Sequence, residues 1–159
     1  MTGETHMPTI FDLPTPALLL DRRRLERNAT RVRDKVQQLG VTLRPHVKTS
    51  KSIDVLKVLA GQPDPPITVS TLAEARYFFE QGVTDILYAV GIAPAKLPDV
   101  AALIRSGCRL RVILDTLEAA DAVCTFARAE GVPIEVLIEI DSDGHRAGVS
   151  ADDPLLLEL

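Results

Sequence analysis

The sequence has no tryptophan, two cysteines and only 4% aromatic residues. A core must therefore be built from aliphatic side chains. Cys108 and Cys124 are too few for a disulfide framework and do not match a zinc-ligand spacing. They are expected as small core residues rather than nucleophiles, in a reduced, cytoplasmic protein. There is no basic run, and the formal charge is −4, which argues against nucleic-acid or anionic-membrane partners. No apolar run approaches the roughly 18 residues of a membrane span. The N-terminal stretch MTGETHMPTIFDLPTP has no apolar signal core, and His6 falls in a terminus expected to fray. Neither Gly-x-Gly-x-x-Gly nor Gly-x-x-x-x-Gly-Lys-Ser/Thr occurs, so the common nucleotide loops have no support.

What is present is globular: 46% hydrophobic and 25% charged residues are close to the average of packed domains. At 159 residues the chain suits one ordinary domain. It falls short of the roughly 250 residues of a complete (β/α)8 barrel. Four times a helical pattern runs into a glycine, at Gly40, Gly82, Gly107 and Gly131, and then into a short apolar stretch. Glycine just past a helix accepts the conformation that ends it. The strands that follow read TLRPHV (42–47), ITVS (67–70), DILYAV (85–90), RLRVIL (109–114) and IEVLIEID (134–141). A further strand-like piece, PALLLD (16–21), precedes them, so 1–21 is taken as an N-terminal strand segment.

Between the strands lie helices. Leu25, Ala29, Val32, Val36 and Leu39 form one apolar stripe along 22–39. Thr71 and Glu74 make a capping-box pattern that opens a helix to about 81. Pro94 suits the first turn of a helix to 106, and Asp115 or Thr116 can cap a helix to about 130. ADDPLLLEL, at the end of the chain, opens another. Such β-α alternation implies a parallel sheet, either an open doubly wound sheet or part of a (β/α)8 barrel. Five strands do not close the usual barrel.

Ligands in parallel α/β folds gather at the C-terminal ends of the strands. The first strand ends in Arg44, Pro45, His46, Val47, Lys48, Thr49, Ser50 and Lys51. Alternation puts Arg44, His46 and Lys48 on one face. Burial beside like charges would lower a lysine pKa and make its amine nucleophilic toward an aldehyde; a solvated loop lysine is the plainer reading. The fifth strand runs into Asp141-Ser142-Asp143-Gly144-His145-Arg146-Ala147-Gly148. An arginine there can fork onto an oxygen anion; a polar turn is the plainer reading. The Asp-x-Asp-Gly run lacks the rest of a twelve-residue calcium loop. Ser70, Thr71, Tyr88, Gly91, Asp115 and Thr116 also lie at strand ends, with adequate roles as caps or turn residues.

Three motifs, Thr-Pro-Ala-Leu-Leu-Leu-Asp (15–21), Arg-Pro-His-Val-Lys-Thr (44–49) and Glu-Ile-Asp-Ser-Asp-Gly-His-Arg-Ala-Gly-Val (139–149), occur in this order. Together they resemble the N-terminal part of the D-threonine aldolase and D-serine dehydratase family. That family belongs with the alanine racemase N-terminal domain superfamily, the fold-type III pyridoxal 5'-phosphate enzymes. The resemblance implies a partial (β/α)8 barrel over 22–159 with about five parallel strands. It places the cofactor lysine, which forms an aldimine, on Lys48. It places Arg146 at the cofactor's phenolic oxygen, and His46 and Thr49 along the pocket. The family's remaining barrel strands and its C-terminal β-domain have no counterpart in these residues. In the metal-dependent members that domain carries the His and Cys ligands of a divalent metal, so no metal ligand is expected here.

The resemblance further implies a lyase acting on D-hydroxy amino acids, as a homodimer in its full-length form. In a dehydration, D-serine loses its α-proton and β-hydroxyl and yields pyruvate and ammonia. In a retro-aldol cleavage, a D-3-hydroxy amino acid yields glycine and an aldehyde. The Asp-Ser-Asp-Gly-His-Arg run points to the dehydratase side. A pyridoxal phosphate-binding protein without catalysis, or an inactive fragment, are the alternatives.

Overall fold

A computed structural model describes residues 9–159, so His6 and the first part of the 1–21 segment lie outside the described residues. After a 3₁₀ turn at Ile10–Asp12 come α1 (Arg22–Gln38), α2 (Ile53–Ala60), β1 (Ile67–Val69), α3 (Leu72–Glu80) and β2 (Asp85–Gly91). A second 3₁₀ turn, Pro94–Lys96, leads into α4 (Leu97–Arg105). Then follow β3 (Arg109–Leu114), α5 (Leu117–Glu130), β4 (Glu135–Ile138), β5 (Ile140–Asp141), β6 (Val149–Ser150) and α6 (Leu155–Glu158). Strands β1 to β4 form one parallel sheet in sequence order, and β5 pairs in parallel with β6.

The core lies on one face of this sheet. Ile86, Tyr88, Leu110 and Val112 alternate onto that face and pack with Ala75 and Phe78 of α3 and Leu97 and Val100 of α4. The opposite face is polar at its lower end. There Arg44 and Arg111 both reach Asp85 Oδ1, at 2.8 and 2.9 Å, and Arg111 Nε reaches Glu135 Oε2 at 2.7 Å. Charges of alternating sign thus link the 44–47 segment, β2, β3 and β4, with Arg44 reaching past β1. Arg44 is consumed by this chain and does not add to a cationic cluster around Lys48.

The expected first strand is reduced to a bridge between His46 and Thr68. Thr68 donates its N–H to the Pro45 carbonyl at 2.9 Å, and Val47 donates to Thr68 at 3.0 Å. Pro45 has no N–H to continue a ladder. The 44–47 segment nevertheless lies parallel beside β1, as a fifth element in front of β1–β4.

Residues 16–21, expected as a strand, form none. No described strand pairs with them, and Leu18, Leu19 and Leu20 are exposed. Asp21 instead caps α1, its carboxylate accepting the Arg24 N–H at 2.9 Å. The stripe on α1 is covered in part: Ala29 is buried, Leu25 and Val36 are half-buried, and Val32 and Leu39 are exposed. The short α2 lies against it, held by Arg33 Nη1, which donates to the carbonyls of Val58 and Leu59 at 2.7 and 3.1 Å.

Of the two expected core cysteines, Cys108 is buried and Cys124 is exposed. Burial, with the Asp85 charge adding to it, pushes the Cys108 thiol up to about 11, which makes it inert. Cys124 follows Val123, the buried residue of α5, and so falls off its covered face.

Candidate functional site

Lys48 lies just past the C-terminal end of the 44–47 segment, in a turn over residues 48–50. Its side chain is exposed, not buried beside like charges. Among the described residues its ammonium has no hydrogen bond or ion pair. The turn closes where Lys51 donates its N–H to the Val47 carbonyl at 2.9 Å. Thr49 stands exposed in the same turn, beside Lys48.

His46 is joined to Lys48 through the backbone. The Lys48 N–H donates to His46 Nδ1 at 3.3 Å. Nδ1 is therefore the acceptor, the proton of the neutral ring is on Nε2, and Nε2–H donates to Ser70 Oγ at 3.2 Å. Burial and then the Lys48 charge lower the His46 pKa, against an upward pull from Glu74. A neutral ring suits this pattern, because a second proton would occupy the acceptor nitrogen.

Ser70 follows β1 and precedes Thr71, the N-cap of α3, whose hydroxyl accepts the Glu74 N–H at 3.0 Å. The capping-box reading of Thr71 and Glu74 is half realised. The Glu74 carboxylate reaches past the cap to the Ser70 N–H, Oε2 accepting at 2.8 Å. Its other oxygen, Oε1, meets Lys51 Nζ at 3.2 Å. Glu74 is 7% exposed. Burial works to raise its pKa, but the Ser70 N–H and the Lys51 ammonium override that and hold it below the ordinary carboxylate value. Sequence reasoning treated Ser70 and Glu74 as caps; their four-residue spacing carries no signal of a link to Lys48.

Arg146 belongs to the loop between β5 and β6 and is exposed. Asp141 shapes that loop. Its Oδ1 accepts the Gly144 N–H and its Oδ2 the Arg146 N–H, each at 3.1 Å. A slight desolvation acts upward on Asp141, and the backbone N–H groups, that of Arg146 foremost, hold its pKa low. Asp115, at the end of β3, accepts the Gly148 N–H at 3.1 Å and ties the loop to the main sheet. Asp115 is thus a loop anchor, while Thr116 caps α5, accepting the Ala119 N–H at 3.2 Å. Gly148 is required here: its φ is +113°, and a Cβ would stand 2.6 Å from the Asp141 nitrogen.

The structure brings His46 against the turn that holds Lys48 and Thr49, and it places Arg146 on the far side of β1, β2 and β3. Neighbouring strands lie about 4.8 Å apart, so the two ends are separated by about 19 Å along the sheet. Among the described residues no group of three or more His, Cys, Asp or Glu could hold a metal ion. No described helix is long and apolar enough to cross a membrane.

A parallel β-α sheet, with a lysine past its first element whose amine has no partner among the described residues, defines the class, and comparison with known proteins gives the family. Residues 20–157 match the model of the alanine racemase N-terminal domain, and the chain belongs to that family. It is 51% identical over 152 residues to a D-threo-3-hydroxyaspartate dehydratase of Delftia sp. (strain HT23), covering 95% of this chain and 40% of that protein. The solved structure of that dehydratase superposes with a TM-score of 0.91 over 95% of this chain, at 50% identity and 40% coverage of that structure. A D-serine dehydratase of Schizosaccharomyces pombe (strain 972 / ATCC 24843) is 31% identical over 159 residues, covering 95% of this chain and 38% of that protein. The structure of D-threonine aldolase from Filomicrobium marinum superposes with a TM-score of 0.81 at 29% identity, over 94% of this chain and 40% of that structure. The chain therefore spans about two fifths of the relatives it matches. Its fold is that of the alanine racemase N-terminal domain, a barrel of the (β/α) type in part.

Proposed function

We propose that this chain is the amine-bearing part of a pyridoxal 5'-phosphate-dependent lyase that dehydrates small D-3-hydroxy amino acids. The observation that carries the reading is Lys48, a primary amine without an ion-pair partner among the described residues, set at a strand end by a backbone-bonded histidine. The donor set fits the cofactor, because an aldehyde needs a free amine and a phenolic oxygen needs a cation such as the Arg146 guanidinium. In an eight-strand barrel the first and fifth strands face each other across the axis. Long Lys and Arg side chains at those strand ends converge on one ligand from opposite sides.

When bound, the cofactor supplies an aldehyde that condenses with an amine and a conjugated ring that takes up electrons from the α-carbon. The chain's own residues do the rest. Lys48 would hold the cofactor and supplies an amine that could accept the proton at the α-carbon. Arg146 holds the phenolic oxygen. His46 fixes the turn through the Lys48 N–H, and Thr49 lines the pocket beside it.

Dehydration is favoured over retro-aldol cleavage because the relative at 51% identity is a dehydratase, while a D-serine dehydratase and a D-threonine aldolase stand level at 31%. One variant of the Delftia dehydratase has been solved in a metal-free form, which supports a divalent metal in the whole protein, held by residues outside this chain. The family resemblance also carries a cytoplasmic homodimer for the full-length form.

The test uses the protein at the full length of its reading frame, with D-serine, D-threonine and D-threo-3-hydroxyaspartate. Keto acid and ammonia are expected, with Lys48→Ala abolishing turnover. Retained turnover in that variant would overturn the assignment of the amine. Glycine with an aldehyde as products would replace dehydration by aldol cleavage, and a bound cofactor without turnover would make the protein a binding protein.

A further inference from the structure

The Lys48 turn holds two lysines, and the structure treats them differently. Lys51 Nζ is paired with Glu74 Oε1 at 3.2 Å, whereas no partner faces the Lys48 ammonium among the described residues. Lys51 also has a φ of 46°, the left-handed region that a non-glycine residue enters at a cost. Such a conformation persists where the surroundings over-determine it. Here two contacts do so: the Lys51 N–H on the Val47 carbonyl at 2.9 Å, and the Lys51 ammonium on Glu74. The carboxylate that receives it is buried, and its second oxygen is tied to the Ser70 N–H at 2.8 Å. Ser70 in turn presents its hydroxyl to His46, whose other ring nitrogen accepts from the Lys48 N–H. One carboxylate thus grips both ends of the Lys48 turn, directly at Lys51 and through Ser70 and His46 at Lys48.

We propose that Glu74 is a positioning residue that selects Lys48 over Lys51 as the cofactor amine, by holding Lys51 in an ion pair and by fixing the turn between them. The proposal rests on the cofactor reading above. The Lys51 ammonium is tied to Glu74 by the ion pair. Its removal from competition leaves a single amine at the strand end. The left-handed Lys51 sends the following chain into α2 while the amine of Lys48 stays at the mouth of the sheet.

The experiment is covalent capture in the whole protein stripped of cofactor. Pyridoxal phosphate is added, the adduct is fixed with borohydride, and the labelled lysine is located by peptide fragmentation. The wild type is expected to carry the label on Lys48. Glu74→Gln keeps the side-chain shape and an acceptor for Ser70 but loses the ion pair. It should raise the share of label on Lys51 about tenfold. Glu74→Asp, which keeps the charge on a shorter stem, should fall between the two. Lys51→Met, at a position whose side chain is 61% exposed, keeps one labelled site but should capture at Lys48 about tenfold more slowly, as a misplaced group does. Lys51→Arg should restore the rate. A folded Glu74→Gln protein with no label on Lys51 would overturn the selection role. Should that variant fail to fold, Lys51→Met decides, and an unchanged capture rate would overturn the proposal. Absence of label on Lys48 in the wild type would instead bring down the cofactor reading on which the proposal rests.

Discussion

At the scale of residues, the His46 ring couples the site to pH. Its pKa lies below the ordinary value of 6.5 because burial and then the Lys48 charge disfavour the imidazolium, with Glu74 opposing them. The unfolded chain therefore binds this proton at a higher pH than the folded one. Stability is unaffected above about 6.5, and it falls as the pH drops from there toward the lower folded value. The Glu74 carboxyl, held low, acts in a separate and more acid window: its contribution is present above the ordinary 4.5 and is lost as the pH falls through its folded value. Thermal unfolding between pH 7 and pH 5 is expected to show a declining Tm, and His46→Gln should flatten that decline. The same proton would displace the Lys48 N–H from Nδ1, so cofactor capture should fall over the same range. An identical Tm slope in wild type and His46→Gln would count against this neutral-ring arrangement.

At the scale of elements, period and punctuation made β1 to β4 and α1, α3, α4 and α5 legible, because each is long enough or sharply enough capped to show its pattern. The helix α2 went unread. It has eight residues, Ile53–Ala60, six of them apolar, so no clean period stands out. Its signals were the caps, Ser52 in front and Gly61 behind at φ 65°. The strand at 16–21 was over-read for the reverse reason: apolar composition marks a segment that wants burial, not one that has found a partner. Lys48, His46, Thr49 and Arg146 are proposed as site residues on the motif resemblance. The Glu74–Lys51 pair was not, since it joins a turn and a helix separated by β1, and only the folded register brings them within 3.2 Å.

Asp115 and Thr116 show a division of labour that adjacent cap-type residues hide in sequence. Thr116→Ala removes the α5 cap and should cost about 1 kcal/mol of global stability, measured by denaturant unfolding. Asp115→Ala, which removes the acceptor of the Gly148 N–H, should leave global stability nearly unchanged and speed hydrogen exchange at the Gly148 N–H. Equal global losses in the two variants would show that both act as caps.

At the scale of the whole molecule, the sheet ends on β4, and the apolar residues there are open to solvent. Leu137, Ile138 and Ile140 are 46%, 36% and 43% exposed. No described strand pairs with the outer edge of β4. Such an edge offers unpaired N–H and C=O groups beside apolar side chains, which is a template for another chain. In the relatives, more than half of the chain length lies outside the matched region, so further polypeptide is available in proteins of this family to cover such a face. The 159-residue chain taken alone is expected to meet its own kind there instead. It should associate at micromolar concentration in light-scattering chromatography. Leu137→Lys puts a charge on the edge without touching the core, and should weaken that association about tenfold or more, since covering one leucine is worth about 1.5–3 kcal/mol. A monodisperse wild-type monomer with a sharp thermal transition would show that the open edge of β4 is not a pairing surface and that the exposed leucines are tolerated singly.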